Sequence, residues 1–114
     1  MTPARYNFDL RKGSSFSRQI TWSSSGALVN LSGFTAAMQL KSAIGDSTAV
    51  LSLTDEDGIT LGGAAGTIDI VITAAQAATL TAGVEYVYDI ELYNGTSTYP
   101  ILEGRIFVEG EITT

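Results

Sequence analysis

Asp89, Glu91 and Glu103 are the side chains best placed for chemistry, because alternate residues of a strand share a face and paired carboxylates can divide acid and base roles. Glycosidic hydrolysis would need two such groups flanking a cleft with their pKa values pushed apart. The sequence gives no sign of a cleft, and three acids on the outward face of a hairpin also read as a solvated sheet surface. A second acidic run, Asp55-Glu56-Asp57-Gly58, resembles the start of a calcium loop. The sixth and twelfth positions of an EF-hand loop would then be Thr60 and Gly66, where Gly and a bidentate Glu are required, so a looser calcium site or an ordinary turn is left. Gly62, Gly63 and Gly66 lack the Lys-Ser/Thr of a phosphate loop and lead into an isoleucine-rich strand, as hairpin glycines do. The Asn30-Leu31-Ser32 and Asn94-Gly95-Thr96 sequons read as turns.

The chain contains no histidine and no cysteine. That removes the commonest general base, the dyads built on it, thiolate metal sites and disulfides. No catalytic residue, metal or cofactor is expected. The first residues, Met1 to Tyr6, carry no apolar signal segment, and no apolar run approaches the ~18 residues of a membrane span, so synthesis in the cytoplasm without a signal peptide is the expectation. A net charge of −6 argues against nucleic acid as a partner. Its distribution is uneven. Residues 1–41 hold Arg5, Arg11, Lys12, Arg18 and Lys41 against Asp9, whereas residues 42–114 hold eleven acids against Arg105. This polarity reads either as solvation or as two complementary surfaces, with Arg5, Arg11 and Lys12 of one copy meeting Glu103, Glu109 and Glu111 of the next.

The elements that must position these groups follow from apolar periodicity. Val29 to Lys41 organises the chain. After the break at Gly33, Phe34, Ala36, Met38 and Leu40 share one strand face, with Thr35, Ala37, Gln39 and Lys41 on the other, and Val29 and Leu31 form a shorter edge-like piece before it. Tyr6, Phe8 and Leu10 define a first strand. Phe16, Ile20 and Trp22 define the inner face of a second, with Arg18 at the same parity. Ala49, Leu51 and Leu53 alternate, as do Ile68, Ile70 and Ile72. Thr73 followed by Gln76 predicts a capped helical turn over 74–79. Two long strands close the chain. Tyr86, Tyr88, Ile90 and Leu92 face inward on the first, and Leu102, Gly104, Ile106 and Val108 on the second; Asn94-Gly95 lies in a loop expected to exceed two residues.

Seven or eight short strands with regular turns and one helical turn predict a single all-β domain over 1–114, an immunoglobulin-like antiparallel sandwich. Tyr93, Tyr99 and Phe107 are expected to point outward, where aromatics mark interfaces. With Arg5, Arg11, Lys12 and Glu109 they make up the candidate protein interface. Trp22, Tyr93 and Tyr99 could instead serve as stacking platforms of a carbohydrate-binding sandwich.

The stretches NFDLRKGSSFSRQITW, GALVNLSGFTAAMQLKS, GITLGGAAGTIDIVITAAQAATL, VYDIELYNG and ILEGRIFVEGEIT, taken in order, resemble a family of small bacteriophage virion proteins related to the N-terminal immunoglobulin-like domain of baseplate upper proteins. LSGFTAAMQLKS is the clearest segment. The resemblance implies a non-enzymatic virion module that docks on other virion proteins and on copies of itself, without nucleic acid, membrane or small-molecule partners. Its expected place is the tail or baseplate, where it seats fibres, or the head, as capsid decoration. The chain stops after the sandwich where longer members carry receptor-binding or fibre extensions, which favours an adaptor or accessory role.

Overall fold

The computed structural model describes residues 4–24 and 26–110. Strands β1 (Ala4–Arg5), β2 (Phe8–Arg11) and β3 (Phe16–Thr21) are followed by the short hairpin β4 (Ser23–Ser24) and β5 (Ala27–Leu28), then β6 (Thr35–Lys41), β7 (Leu51–Asp55) and β8 (Gly58–Leu61). A 3-10 turn at Gly63–Ala65 leads to β9 (Thr67–Ile72), helix α1 (Ala74–Ala78), β10 (Glu85–Asn94) and β11 (Ser97–Glu109). Eight of these strands have four or more residues, in line with the periodicity. The capping box forms as its sequence requires: Gln76 N–H donates to the Thr73 hydroxyl, and Thr73 N–H donates to the Gln76 side-chain oxygen.

Hydrogen bonding runs from β1 and β2 through β11, β10, β6 and β7, and then across β8 to β9 and β3. The turn at Asp55–Gly58 folds this path so that two layers face each other. Ala36, Met38 and Leu40 of β6 and Tyr86 to Leu92 of β10 bury alternate side chains in the same core as Ile59 of β8 and Ile68, Ile70 and Ile72 of β9. Inner faces supply apolar surface and outer faces the charges, and among the described residues no polar or charged side chain is fully buried.

Four features depart from the expectations. Pairing is not purely antiparallel, since β1 and β2 both run parallel to β11, and β7 meets β8 in parallel through the tight turn. Residues 29–34 form no strand, although Leu31 is buried under the sheet. The β10–β11 hairpin is tight: Asn94 pairs with Ser97, and Gly95 takes φ 63° at the first central position, as a primed turn allows. Finally, the register shifts beside Ile90, so that Ile101 is left unpaired and both Ile101 and Leu102 are buried. A bulge of this kind breaks strict alternation, which is why Ile101 faces inward against its sequence parity.

At the seam opposite β7–β8, side chains of β2 and β3 meet across the two layers while the backbones of the two strands do not pair. Phe8 meets Phe16 edge-on at 5.4 Å, and the Arg18 guanidinium lies 5.1–5.8 Å from the rings of Tyr6, Phe8 and Phe16 while donating to the Tyr6 hydroxyl at 3.2 Å. Arg18 therefore keeps inward parity by spreading its planar head over aromatic faces.

Candidate functional site

The outward residues of β6, β10 and β11 form one continuous surface. Register places Asp89 between Gln39 on β6 and Glu103 on β11, Val87 between Lys41 and Arg105, and Glu91 between Ala37 and Pro100. The carboxylates singled out in the sequence are thus brought together, with Asp89 and Glu103 directly cross-strand. Contrary to the expectation of a plain sheet face, Asp89 and Glu103 line a groove of about 420 Å³, and Glu91 lies outside its lining. One wall is the β1–β2 segment at Arg5 to Asn7, and the other is the loop after β6, whose Ile44 is 85% exposed. No periodicity marks this groove. The nine-residue connection 42–50 was its only signal in the sequence, because a sheet hairpin seldom needs so many residues.

Charges in the groove are partly matched within the chain. Arg5 pairs with Glu103 at 3.7 Å, and Arg105 with Glu85 at 3.2 Å. Desolvation raises the Asp89 pKa above its usual 3.8, and Glu91 adds to this; Lys41 opposes the shift and Glu103 reinforces it. A raised carboxyl pKa means that the folded chain holds the proton more tightly, so stability falls as pH rises from 3.8 through the folded value. Asp89→Asn should therefore melt higher than the parent at neutral pH, with the difference vanishing in acid well below 3.8. Melting curves across pH check this, and equal melting temperatures at neutral pH would contradict it. Tyr93, half-buried on the same face, donates its hydroxyl to Glu91 at 3.0 Å; desolvation and that bond hold its phenol above the ordinary range.

The other candidates fall in several places. Arg11 lies in β2 directly beside Glu109 of β11, and Lys12 N–H donates to the Glu109 carbonyl at 2.8 Å. Together with Arg5–Glu103, this places the basic N-terminal strands against the acidic C-terminal strand of the same chain. Glu111 lies outside the described residues. Phe107 does face outward, 38% exposed, opposite Glu85. Tyr99 does not. It sits opposite the buried Leu92 and packs against Trp22 at 5.7 Å and Phe34 at 5.9 Å, a cluster closed by the perpendicular Trp22–Phe34 contact. Its inward turn has the same cause as that of Ile101, the bulge that reassigns parity along the first half of β11. Trp22, Tyr93 and Tyr99 accordingly do not share one platform.

In the acidic turn, Asp55 accepts the Ala36 N–H at 3.1 Å and Glu56 takes φ 66°. Its first carboxylate thus ties the turn to β6. Asn30 likewise accepts the Ser32 N–H at 2.9 Å in a local turn. Among the described residues no three metal-ligating side chains converge.

Neither a protein-family model nor a curated protein matches the sequence. Among solved structures, the chain is similar to the extracellular domains of the voltage-gated sodium channel beta4 subunit, described as parallel homodimers with a role in cell-cell adhesion. Identity there is 16%, coverage is 98% of this chain and 97% of that one, and the TM-score is 0.51. It also aligns with a structure from work on the multimeric cell-adhesive interactions of sodium channel beta subunits, at 17% identity, 94% and 92% coverage and a TM-score of 0.48. At such identity the likeness is one of fold: the chain is an all-β, immunoglobulin-like sandwich.

Proposed function

We propose that this chain is a non-enzymatic structural module of a bacteriophage particle, an adaptor or accessory protein that docks on tail or baseplate proteins through the outer face of the β6–β10–β11 sheet. The ordered sequence resemblance to baseplate upper domains supports the setting. The observation that carries a docking role is the face itself: Val87, Tyr93, Pro100 and Phe107 lie on it beside partly paired charges, Ile44 stands at its rim, and no other layer of the described chain covers it. Aromatic and apolar groups with a charged surround are the make-up of a protein interface.

Mass spectrometry of purified particles, with tails separated from heads, tests the reading. The chain is expected in the tail fraction; presence in heads alone would favour capsid decoration, and absence from particles would overturn both. A variant locates the face. Phe107→Lys should weaken attachment to the particle by about 10-fold or more while the chain still folds, because the ring is outward and a lysine there stands between Glu85 and Asp9 without a like-charge neighbour. Attachment unchanged by Phe107→Lys would remove this face from the interface.

A further inference from the structure

We propose that β3 is a homotypic docking edge, along which two copies of this chain join antiparallel about a two-fold axis at Gln19. This goes beyond the virion reading and needs no other particle protein. Strand β3 ends the hydrogen-bonded path and, among the described residues, pairs only with β9. The phase of that ladder is known, since Trp22 N–H donates to the Gly66 carbonyl at 2.8 Å, one step beyond the Thr21–Thr67 pair. Hydrogen-bonded and non-hydrogen-bonded pairs alternate along an antiparallel ladder. Phe16, Arg18 and Ile20 therefore exchange bonds with β9, whereas Ser17, Gln19 and Thr21 direct both backbone groups away from the sheet. The close Gln19–Asp69 side-chain bond at 2.9 Å fits this phase, because non-hydrogen-bonded pairs bring side chains nearest.

Proteins usually blunt such an edge with proline, a bulge or outward lysines. Here the outward side chains are Ser17, Gln19 and Thr21, all exposed and uncharged, and the only cation, Arg18, is folded over the aromatic seam. The self-pairing register follows. Faces must match, so opposing residues have the same parity. Only a register centred on Gln19 engages all three free residues, with Ser17 opposite the partner's Thr21 and Gln19 opposite the partner's Gln19, giving a ladder of about six bonds. Centring on Arg18 would oppose two guanidinium groups and lose part of the ladder.

The inner row selects a second copy as occupant. Phe16, Ile20 and Trp22 are only half-buried along this edge although they pack on their own core, and the Gln19-centred register sets Phe16 opposite the partner's Trp22, an aromatic cross-strand pair that covers the surface each ring still exposes. Net charge does not forbid it. Asp69 and the partner's Asp69 stand three strand spacings apart, ~14 Å, beyond the ~8 Å screening length at physiological salt.

The absence of native cysteine allows a register-specific test on the full chain. In this dimer the Gln19 Cα atoms lie ~5.5 Å apart, inside the disulfide range, while those of Ser17 lie ~14 Å apart. Under mild oxidation at tens of micromolar, Gln19→Cys is expected to cross-link about 10-fold or more faster than Ser17→Cys, since association raises its local thiol concentration. The unmodified chain should sediment as a dimer at high micromolar concentration, and Gln19→Lys as a monomer with an unchanged melting temperature. A monomeric unmodified chain, a dimeric Gln19→Lys variant, or equal cross-linking of the two cysteine variants would each overturn the proposal.

Discussion

Met38→Asp is expected to leave the chain unfolded at neutral pH, whereas Gln39→Asp, one residue on, should fold. Met38 is 1% exposed at the centre of β6, opposite Ile90 of β10 and Leu53 of β7, and no polar side chain is fully buried among the described residues to pair with a new carboxylate. An ionised group there must desolvate without compensation, at a cost of several kcal/mol against a total stability of about 5–15 kcal/mol for a domain of this size. The carboxyl escapes only by taking up a proton. Its folded pKa would then be raised, and the linkage sign makes the variant regain stability towards acid and lose it as pH rises through that folded value. Gln39→Asp places its charge outward and directly opposite Asp89, a like-charge pair costing about 0.2–1 kcal/mol. Circular dichroism and thermal melting distinguish the two. Similar melting temperatures would mean that the inward and outward faces of β6 are misassigned.

That face assignment was legible in the sequence because it rests on local periodicity. The alternation of Ala36, Met38 and Leu40, of Tyr86 to Leu92 and of Ile68 to Ile72 survives intact, as does the Thr73–Gln76 cap, since each depends on neighbours a few residues apart. What the sequence hid is non-local. Nothing in Arg5 or Arg11 announces that β1 and β2 run parallel to β11, yet that pairing sets Arg5 on Glu103 and Arg11 beside Glu109, turning an apparent charge asymmetry into neighbouring charges of one chain. Ile101 and Tyr99 were misplaced because one bulged residue inverts every parity between it and the hairpin. The candidate groove was hidden for a related reason: its floor is an ordinary outward sheet face, and only the packing of loop 42–50 and the β1–β2 segment gives it walls. The carboxylates were identifiable from sequence, but their surroundings were not.

The N-terminal strand carries the second large effect. Gly104→Ala is expected to lower the melting temperature by about 10–15 °C, corresponding to roughly 2–4 kcal/mol of overpacking in a domain of this size. Glycine is required here for space: a Cβ at position 104 would stand 2.0 Å from the Tyr6 carbonyl oxygen and 2.8 Å from its carbon. Tyr6 cannot step back easily. Its N–H donates to the Glu103 carbonyl at 2.9 Å, its carbonyl accepts the Tyr88 hydroxyl, and the next residue, Asn7, accepts the Arg105 N–H at 3.0 Å. These bonds clamp the crossover from β1 to β2 onto β11 on both sides of the glycine, and the same crossover carries one wall of the groove and the Tyr6 ring under Arg18. Gly95→Ala is the matched control, because its Cβ would meet nothing within 4 Å and only the backbone preference at φ 63° is lost. Hydrogen exchange separates a global from a local response. Fast exchange confined to residues 4–7 with β6 and β10 protected would mean that the crossover peels away, and the seam under Arg18 would open with it. A Gly104→Ala chain melting within a degree or two of the parent, with those amides still protected, would show that β11 does not hold the N-terminal crossover this closely.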